Sequence, residues 1–134
     1  MEPAVSARWR TDPESTGAVD VLVVDDDDAL RSSVADILRG EGMSVSEAID
    51  GLEALDQLES FRVGVMVLDV NMPRLSGPEL LARLDDPPLV VLVTAGVYDD
   101  EVLAQQRKIT WFLKKPVPPR ELITIVAKCL NATI

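Results

Sequence analysis

The sequence predicts an α/β protein, built as a three-layer α/β/α sandwich around a five-stranded parallel sheet. Short apolar runs rich in β-branched residues alternate along the chain with segments whose apolar residues recur at helical spacing. The apolar runs are nearly continuous, which is typical of strands buried on both faces of a parallel sheet. The length of 134 residues suits one domain with a substantial core. Strands and helices that alternate in this way join parallel strands through crossover helices.

An N-terminal arm and a first strand–helix pair open the chain. Residues 1–19 are rich in Ser, Thr, Pro, Glu and Gly and lack apolar spacing, so we expect a flexible arm before a domain that spans 20–134. Residues 21–24 predict a buried strand that ends in acidic residues. Apolar residues then recur at helical spacing over 30–38, and Gly40 ends this first helix.

The sequence pattern of the second strand–helix pair is weaker than that of the first, and a third strand follows this pair. Residues 43–48 alternate in polarity and predict a second strand. Asp50 opens the second helix, whose inward side chains we expect to be Leu52, Leu55 and Leu58. Residues 63–68 predict a third, buried strand that ends at Asp69 and leads into a turn rich in Pro and Gly.

The last part of the chain predicts three helices and two strands. Leu80, Leu81 and Leu84 indicate a short third helix, and residues 89–93 a fourth strand ending in Thr94. Residues 99–108 predict a fourth helix, acidic at its start and basic at its end as the helix dipole favours. Residues 111–113 predict a brief fifth strand. The final helix, over 121–130, has an apolar stripe formed by Leu122, Ile125, Val126, Cys129 and Leu130.

Composition excludes several classes of function. The chain has no histidine and one cysteine, Cys129, which excludes Ser-His-Asp and Cys-His catalysis, histidine metal ligands and an internal disulfide. Twenty-three acidic side chains against 13 basic ones argue against direct DNA binding. No apolar run reaches membrane-spanning length and no signal peptide is present, so we expect a cytoplasmic protein. The chemistry must therefore come from carboxylates, hydroxyls, lysine and a hard cation.

Polar side chains close four of the predicted strands. Asp25 and Asp26 follow the first strand, Asp69 the third, Thr94 the fourth, and Lys115 the fifth. Because the carboxyl ends of parallel strands meet at one edge of the sheet, these groups should lie together where ligands bind in such folds. Converging carboxylates call for a cation, and Mg²⁺ fits because it prefers oxygen ligands. With a lysine and a hydroxyl nearby, the pattern predicts a phosphoryl-binding pocket in which a carboxylate is the nucleophile.

Four motifs in this order resemble the receiver domains of response regulators in two-component signalling. They are Val23-Val24-Asp25-Asp26-Asp27 with Leu30-Arg31, Val67-Leu68-Asp69-Val70-Asn71-Met72-Pro73 with Gly77, Val93-Thr94-Ala95, and Lys115-Pro116. The resemblance covers about residues 20–130. It implies a flavodoxin-like (βα)₅ fold with strand order 2-1-3-4-5.

The resemblance also implies a role for each site residue. Asp69 would accept a phosphoryl group from the phosphohistidine of a partner histidine kinase. Mg²⁺ would be bound by Asp26 directly, by Asp25 largely through water, and further by Asp69 and the Asn71 carbonyl. Lys115 would pair with a phosphoryl oxygen, and a cis peptide bond between Lys115 and Pro116 would be in keeping with the family. Two residues would act as the switch on the helix 4–strand 5–helix 5 surface: Thr94 and Phe112.

Other interpretations stay open for these residues. The four consecutive aspartates could simply cap and solvate the first helix, and Phe112 could be a packing residue. Asp25 and Asp27 also satisfy the Asp-x-Asp pattern of a small Mg²⁺-dependent phosphatase that resembles the haloacid-dehalogenase superfamily. A receiver-like interaction module that is never phosphorylated is a further alternative.

The resemblance leads to expectations about partners. We expect a stand-alone receiver that a sensor histidine kinase or phosphotransfer protein phosphorylates and that acts on a downstream protein. Ile123 and Ala127, which lie off the apolar stripe of the last helix, make either a monomer or a phosphorylation-linked homodimer conceivable. Only residues 70–93 separate Asp69 from Thr94, a shorter segment than the family usually shows, which predicts a trimmed third helix or loop.

Overall fold

A computed structural model describes residues 17–96 and 98–132, and five strands and five α-helices alternate through them. Most of the predicted arm, including Trp9, lies outside the described residues. The first strand begins at Ala18, so the last two residues assigned to the arm belong to the sheet. The elements are β1 (Ala18–Val24), α1 (Asp28–Arg39), β2 (Val45–Ala48), α2 (Gly51–Ser60), β3 (Arg62–Asp69), α3 (Gly77–Ala82), β4 (Leu89–Thr94), α4 (Asp100–Ala104), β5 (Trp111–Lys114) and α5 (Pro119–Ala132).

The five strands form one parallel sheet in the order β2-β1-β3-β4-β5, which confirms the predicted architecture and strand order. β1 lies between β2 and β3, and Val24 is in register with Ala48 on one side and Leu68 on the other. The ends of β1 and β3 are therefore adjacent, so the acidic residues that follow them are brought together.

Successive side chains of the central strands enter two apolar layers. Val21 and Val23 of β1 pack with α1 and α5, while Leu22 and Val24 pack with α2, α3 and α4. This is the period of two expected for a strand covered on both faces. The predicted stripe of α5 is confirmed, since its five members are all buried in the first layer: Leu122, Ile125, Val126, Cys129 and Leu130.

Ile123 and Ala127 differ from the expectation that they lie off the core stripe of α5. Both are half-buried and pack against the same apolar layer as the stripe. The apolar stripe of α5 is wider than the sequence pattern indicated, because α5 lies over β3 and β4 and also packs against α1.

The orientation predicted for α2 is wrong at one residue. Leu52 is 40% exposed, whereas Gly51 and Ala54 are buried and Leu55 and Leu58 pack partly into the core. Positions 51, 54, 55 and 58 share one helical face, and Leu52 lies about 100° away from Gly51 on the helix. The close approach of Gly51 to the β3–α3 loop selects this face.

Two helices are shorter than predicted. α3 has six residues, in agreement with the trimmed segment, but it ends at Ala82, and Leu84 packs against the core from the loop beyond it. The helix expected over 99–108 divides into α4 and a 3₁₀ turn at Gln106–Lys108. Val102 is the one buried residue of α4, so too little apolar surface is covered to sustain a longer helix.

None of the helices within 17–96 and 98–132 combines the length and apolar character needed to cross a membrane.

Candidate functional site

The carboxyl ends of β1 and β3 bring three carboxylates together. Asp25 and Asp26 follow β1 and Asp69 ends β3, and one oxygen from each lies within 4.8 Å of the others. Asp25 and Asp69 are only 6% and 5% exposed, while Asp26 is exposed. The site is thus an acidic pocket that opens to solvent on the side of Asp26.

The four-aspartate run divides between this pocket and the start of α1. The Asp25 side chain accepts a hydrogen bond from the backbone N–H of Asp27 at 2.9 Å. Asp27 is the N-cap of α1, and its carboxylate accepts from the backbone N–H of Leu30 at 3.1 Å. The capping interpretation therefore holds for Asp27, while Asp25 and Asp26 belong to the acidic pocket.

Lys115 faces the pocket from the end of β5. Its ammonium Nζ lies 3.0 Å from Oδ1 of Asp69, and its backbone N–H donates to the Thr94 carbonyl at 2.8 Å. The peptide bond between Lys115 and Pro116 is cis, as the resemblance implied. The neighbouring Lys114 is exposed, and its aliphatic chain lies over Gly96.

The two predicted switch residues lie on neighbouring strands, since Thr94 ends β4 and Phe112 is the second residue of β5. The buried Thr94 hydroxyl accepts a hydrogen bond from the backbone N–H of Gly96 at 3.0 Å. Phe112 is half-buried against the α2–α4 layer and meets the ring of Tyr98 edge-on, with ring centroids 5.2 Å apart. Sequence reasoning missed Tyr98, although it is the sole tyrosine of the chain and lies just ahead of α4.

The pocket is electrostatically unfavourable without a cation. Burial raises the pKa of Asp69, Lys115 opposes that rise, and the charge of Asp26 adds to it. Burial also raises the pKa of Asp25, against the N–H of Asp27 and together with the charge of Asp69. Burial disfavours the Lys115 ammonium, but contact with Asp69 outweighs this and raises the lysine pKa. Lys115 is therefore charged, and it offsets only part of the negative charge.

The donor set fits a hard divalent cation. Three carboxylate oxygens close together are ligands that Mg²⁺ accepts, and Mg²⁺ usually keeps several waters beside one or two carboxylates. Asp26 is exposed and leaves room for that water. Asn71 is exposed and follows Asp69 by two residues in the β3–α3 loop. Softer metals are not favoured, because the cluster offers no nitrogen or sulfur ligand.

The start of α3 packs closely against the backbone of Asp69. A Cβ atom on Gly77 would lie 2.5 Å from the Asp69 carbonyl oxygen, so only glycine allows α3 to begin here. The N–H of Gly77 donates to the Val70 carbonyl at 2.9 Å. Three residues before Gly77, Arg74 has a positive φ of 67° and pairs with the buried carboxylate of Asp50. The Asp50–Arg74 pair was not foreseen, since the two residues are distant in sequence.

Fold and site together define a parallel α/β module with an acidic pocket and a lysine at the carboxyl edge of its sheet. Residues 21–127 match the family model described as the response regulator receiver domain. The chain belongs to this family, whose members are the phosphoacceptor switches of two-component signalling. The matches favour neither a small phosphatase nor a receiver-like module that is never phosphorylated.

Relatives and solved structures agree with this assignment. Response regulator MprA of Mycobacterium tuberculosis (strain H37Rv) is 39% identical over 120 residues, which are 87% of this chain and 52% of the relative. The chain therefore spans about half the length of the curated relatives it matches. A CheY-like receiver domain protein from Methanospirillum hungatei is 26% identical with a TM-score of 0.79, covering 87% of this chain and 97% of that one. The receiver domain of Francisella response regulator 1452 is 27% identical with a TM-score of 0.78, covering 87% and 99%.

Proposed function

We propose that Asp69 is the phosphoacceptor of this receiver domain and that a partner histidine kinase or phosphotransfer protein supplies the phosphoryl group. The observation that carries the proposal is the position of Asp69: it is nearly buried, it contacts Lys115 at 3.0 Å, and it shares the acidic pocket with Asp25 and Asp26. These 134 residues contain no histidine, so a phosphohistidine donor lies outside them.

The transfer is a displacement at phosphorus by the Asp69 carboxylate. The bond from an Asp69 oxygen to phosphorus forms while the bond from the donor nitrogen to phosphorus breaks, and the nitrogen keeps its electron pair. Lys115 binds one oxygen of the transferred group and thereby offsets part of its charge. Burial of Asp69 limits the access of water to the resulting acyl phosphate and slows its hydrolysis.

Three carboxylates and a backbone oxygen would hold Mg²⁺: Asp25, Asp26, Asp69 and the carbonyl of Asn71. When bound, the ion neutralises negative charge on the phosphoryl oxygens. Asp26 is the exposed member of the set and would be a direct ligand, while Asp25 would act largely through water. The raised pKa values of Asp25 and Asp69 support this assignment, because a cation relieves the repulsion between them.

Phosphorylation would then change the α4–β5–α5 surface. A phosphoryl group adds up to about two negative charges at Asp69, which draws in hydrogen-bond donors and cations. The Thr94 hydroxyl would leave its hydrogen bond with the N–H of Gly96 and donate to a phosphoryl oxygen. Phe112, which rests on Tyr98, would adjust to the space that Thr94 vacates. The altered surface would engage a downstream protein in the cytoplasm, without direct contact with DNA.

Intact-mass analysis with Mg²⁺ and acetyl phosphate tests the assignment of Asp69. We expect the wild-type chain to gain one phosphoryl group and Asp69→Asn to gain none. Asp85→Asn, an exposed aspartate between α3 and β4, is the matched control and should be phosphorylated as the wild type is. An adduct that survives in Asp69→Asn would refute the assignment, and no adduct on any variant would favour a receiver that is not phosphorylated.

A further inference from the structure

Arg31 lies behind the acidic pocket, in the first turns of α1. Its side chain is 13% exposed, although arginine is usually a surface residue. The guanidinium Nη1 donates to the backbone carbonyl of Asp25 at 2.9 Å, Nη2 to the Asp28 carboxylate at 2.7 Å, and Nε to the Glu47 carboxylate at 3.3 Å. One side chain therefore joins α1, the loop after β1, and β2.

The contact with the Asp25 carbonyl bears directly on the pocket. That carbonyl belongs to the peptide unit between Asp25 and Asp26, so its orientation sets the direction from which both carboxylates leave the backbone. On its other side, the N–H of Asp25 donates to the Ala48 carbonyl of β2 at 3.1 Å. The carboxylates of Asp25 and Asp26 thus extend from a backbone that β2 holds at one end and Arg31 holds at the other.

We propose that Arg31 is a positioning residue for the Mg²⁺ ligands Asp25 and Asp26, because its planar guanidinium, a fork of N–H donors, holds the peptide unit between them against β2 and α1. The inference rests on the proposed function of Asp25 and Asp26 as metal ligands. Groups that orient metal ligands typically change metal affinity by about 10- to 100-fold when removed. A lysine cannot replace the fork, since its ammonium is a point charge without the planar arrangement of donors.

A positioning role and a purely electrostatic role predict opposite changes in Mg²⁺ affinity when Arg31 is removed. A cation near the pocket repels Mg²⁺, so removing its charge alone would tighten metal binding. If Arg31 instead orients the peptide unit of the ligands, its removal weakens metal binding despite the more negative surroundings. The sign of the change in Mg²⁺ affinity therefore separates positioning from charge, and urea unfolding identifies a variant whose weaker binding comes from loss of the folded state.

Arg39 provides a matched control within the same helix. It donates to the same Glu47 carboxylate at 3.2 Å and to the Val45 carbonyl at 3.0 Å, so it also ties α1 to β2. Within the described part of the chain its polar contacts are with Asp36, Val45 and Glu47, not with the backbone of the pocket. Arg39→Ala should therefore perturb the α1–β2 junction and leave the pocket unchanged.

The experiment titrates MgCl₂ alone into the full chain and follows backbone amide shifts by NMR, with urea unfolding of every variant alongside. We expect Arg31→Ala to weaken Mg²⁺ binding about tenfold and Arg31→Lys to weaken it severalfold, while Arg39→Ala binds as the wild type does. Urea midpoints identify any variant that is not folded, and Arg31→Lys retains the charge and most of the packing. It therefore carries the test if Arg31→Ala does not fold.

Three results would overturn the inference while leaving the proposed metal ligands in place. Tighter binding in Arg31→Ala would show that Arg31 acts through charge, and wild-type affinity in Arg31→Lys would show that the fork is unnecessary. Equal weakening in Arg31→Ala and Arg39→Ala would assign the effect to the α1–β2 junction in general. If the wild type itself binds no Mg²⁺, and Asp26→Asn gives the same null titration, the metal assignment under the proposed function fails together with the inference.

Discussion

The buried carboxylate of Asp50 supports two different interactions that a pair of substitutions can separate. Asp50 is 2% exposed and caps α2, with Oδ1 accepting from the backbone N–H of Glu53 at 2.9 Å. Its other oxygen pairs with Arg74 of the β3–α3 loop. Asp50→Asn keeps an oxygen that can cap the helix but removes the charge. Asp50→Ala removes both interactions.

The structure sets the size of each loss. Replacing a good N-cap by alanine costs about 1 kcal/mol. The Arg74 side chain is 59% exposed, so solvent screens the ion pair and we assign it no more than about 1 kcal/mol. At neutral pH we expect Asp50→Ala to lower the free energy of unfolding by about 2 kcal/mol and Asp50→Asn by about half of that.

The pH dependence gives a second, independent signature. Burial raises the pKa of Asp50, but the N–H of Glu53 and the Arg74 guanidinium outweigh it, so the folded-state pKa lies below the ordinary 3.8. A carboxyl group with a lowered folded pKa contributes stability above its unfolded pKa, and that contribution is lost as the pH falls through the folded pKa. The stability difference between wild type and Asp50→Asn should therefore shrink in acid.

Urea unfolding followed by circular dichroism measures these differences at neutral pH and at several acidic pH values. Arg74→Ala completes the cycle: combined with Asp50→Asn it should cost no more than Asp50→Asn alone, because the pair is already broken. The reasoning is refuted if Asp50→Asn destabilises as much as Asp50→Ala, or if its effect does not change with pH.

Three further predictions concern the pocket and the packing. Gly77→Ala places a methyl group against the Asp69 carbonyl. It should lower the free energy of unfolding in urea by about 1–3 kcal/mol and slow phosphorylation by acetyl phosphate. Wild-type values for both would contradict the close approach. Leu52→Gln should change the free energy of unfolding by less than about 0.5 kcal/mol, whereas Leu80→Ala should cost about 2–5 kcal/mol; equal effects would show that Leu52 is buried. The pKa values of Asp25 and Asp69 are raised, so these groups take up protons at a higher pH than ordinary aspartates. As the pH is lowered, Mg²⁺ affinity should therefore begin to fall at a higher pH than for a site of unperturbed carboxylates. NMR titration with Mg²⁺ at several pH values would measure this.

Local sequence patterns predicted most of the architecture, because the spacing of apolar residues indicates which side chains are buried. The continuous apolar runs of β1, β3 and β4 require cover on both faces, and the stripe of α5 has a helical period that the fold satisfies. The polar residue at the end of each run then marks the edge of the sheet. Asp69 and its partners could therefore be predicted to converge before any distance was known.

Sequence patterns gave wrong predictions where the buried face or the length of a helix depends on how a distant segment packs against it. The face that α2 turns inward depends on the approach of Gly51 to Leu75, so the apolar Leu52 is left in solvent. The division of the helix over 99–108 follows from the small area that α4 buries, and a Lys108 side chain that donates to the Leu81 carbonyl at 2.8 Å occupies the end of α3. Helical spacing alone contains no information on either neighbour.

The sequence by itself determined where the apolar strands lie along the chain and which polar residues end them. These two features are enough to indicate the family to which the chain belongs. Tertiary structure alone decided how those residues are held: Arg31 on the Asp25 carbonyl, Asp50 with Arg74, and the Thr94 hydroxyl on the N–H of Gly96. The first set depends on burial, which composition and period record along the chain. The second set depends on hydrogen bonds whose distances and angles exist only after distant segments have packed together.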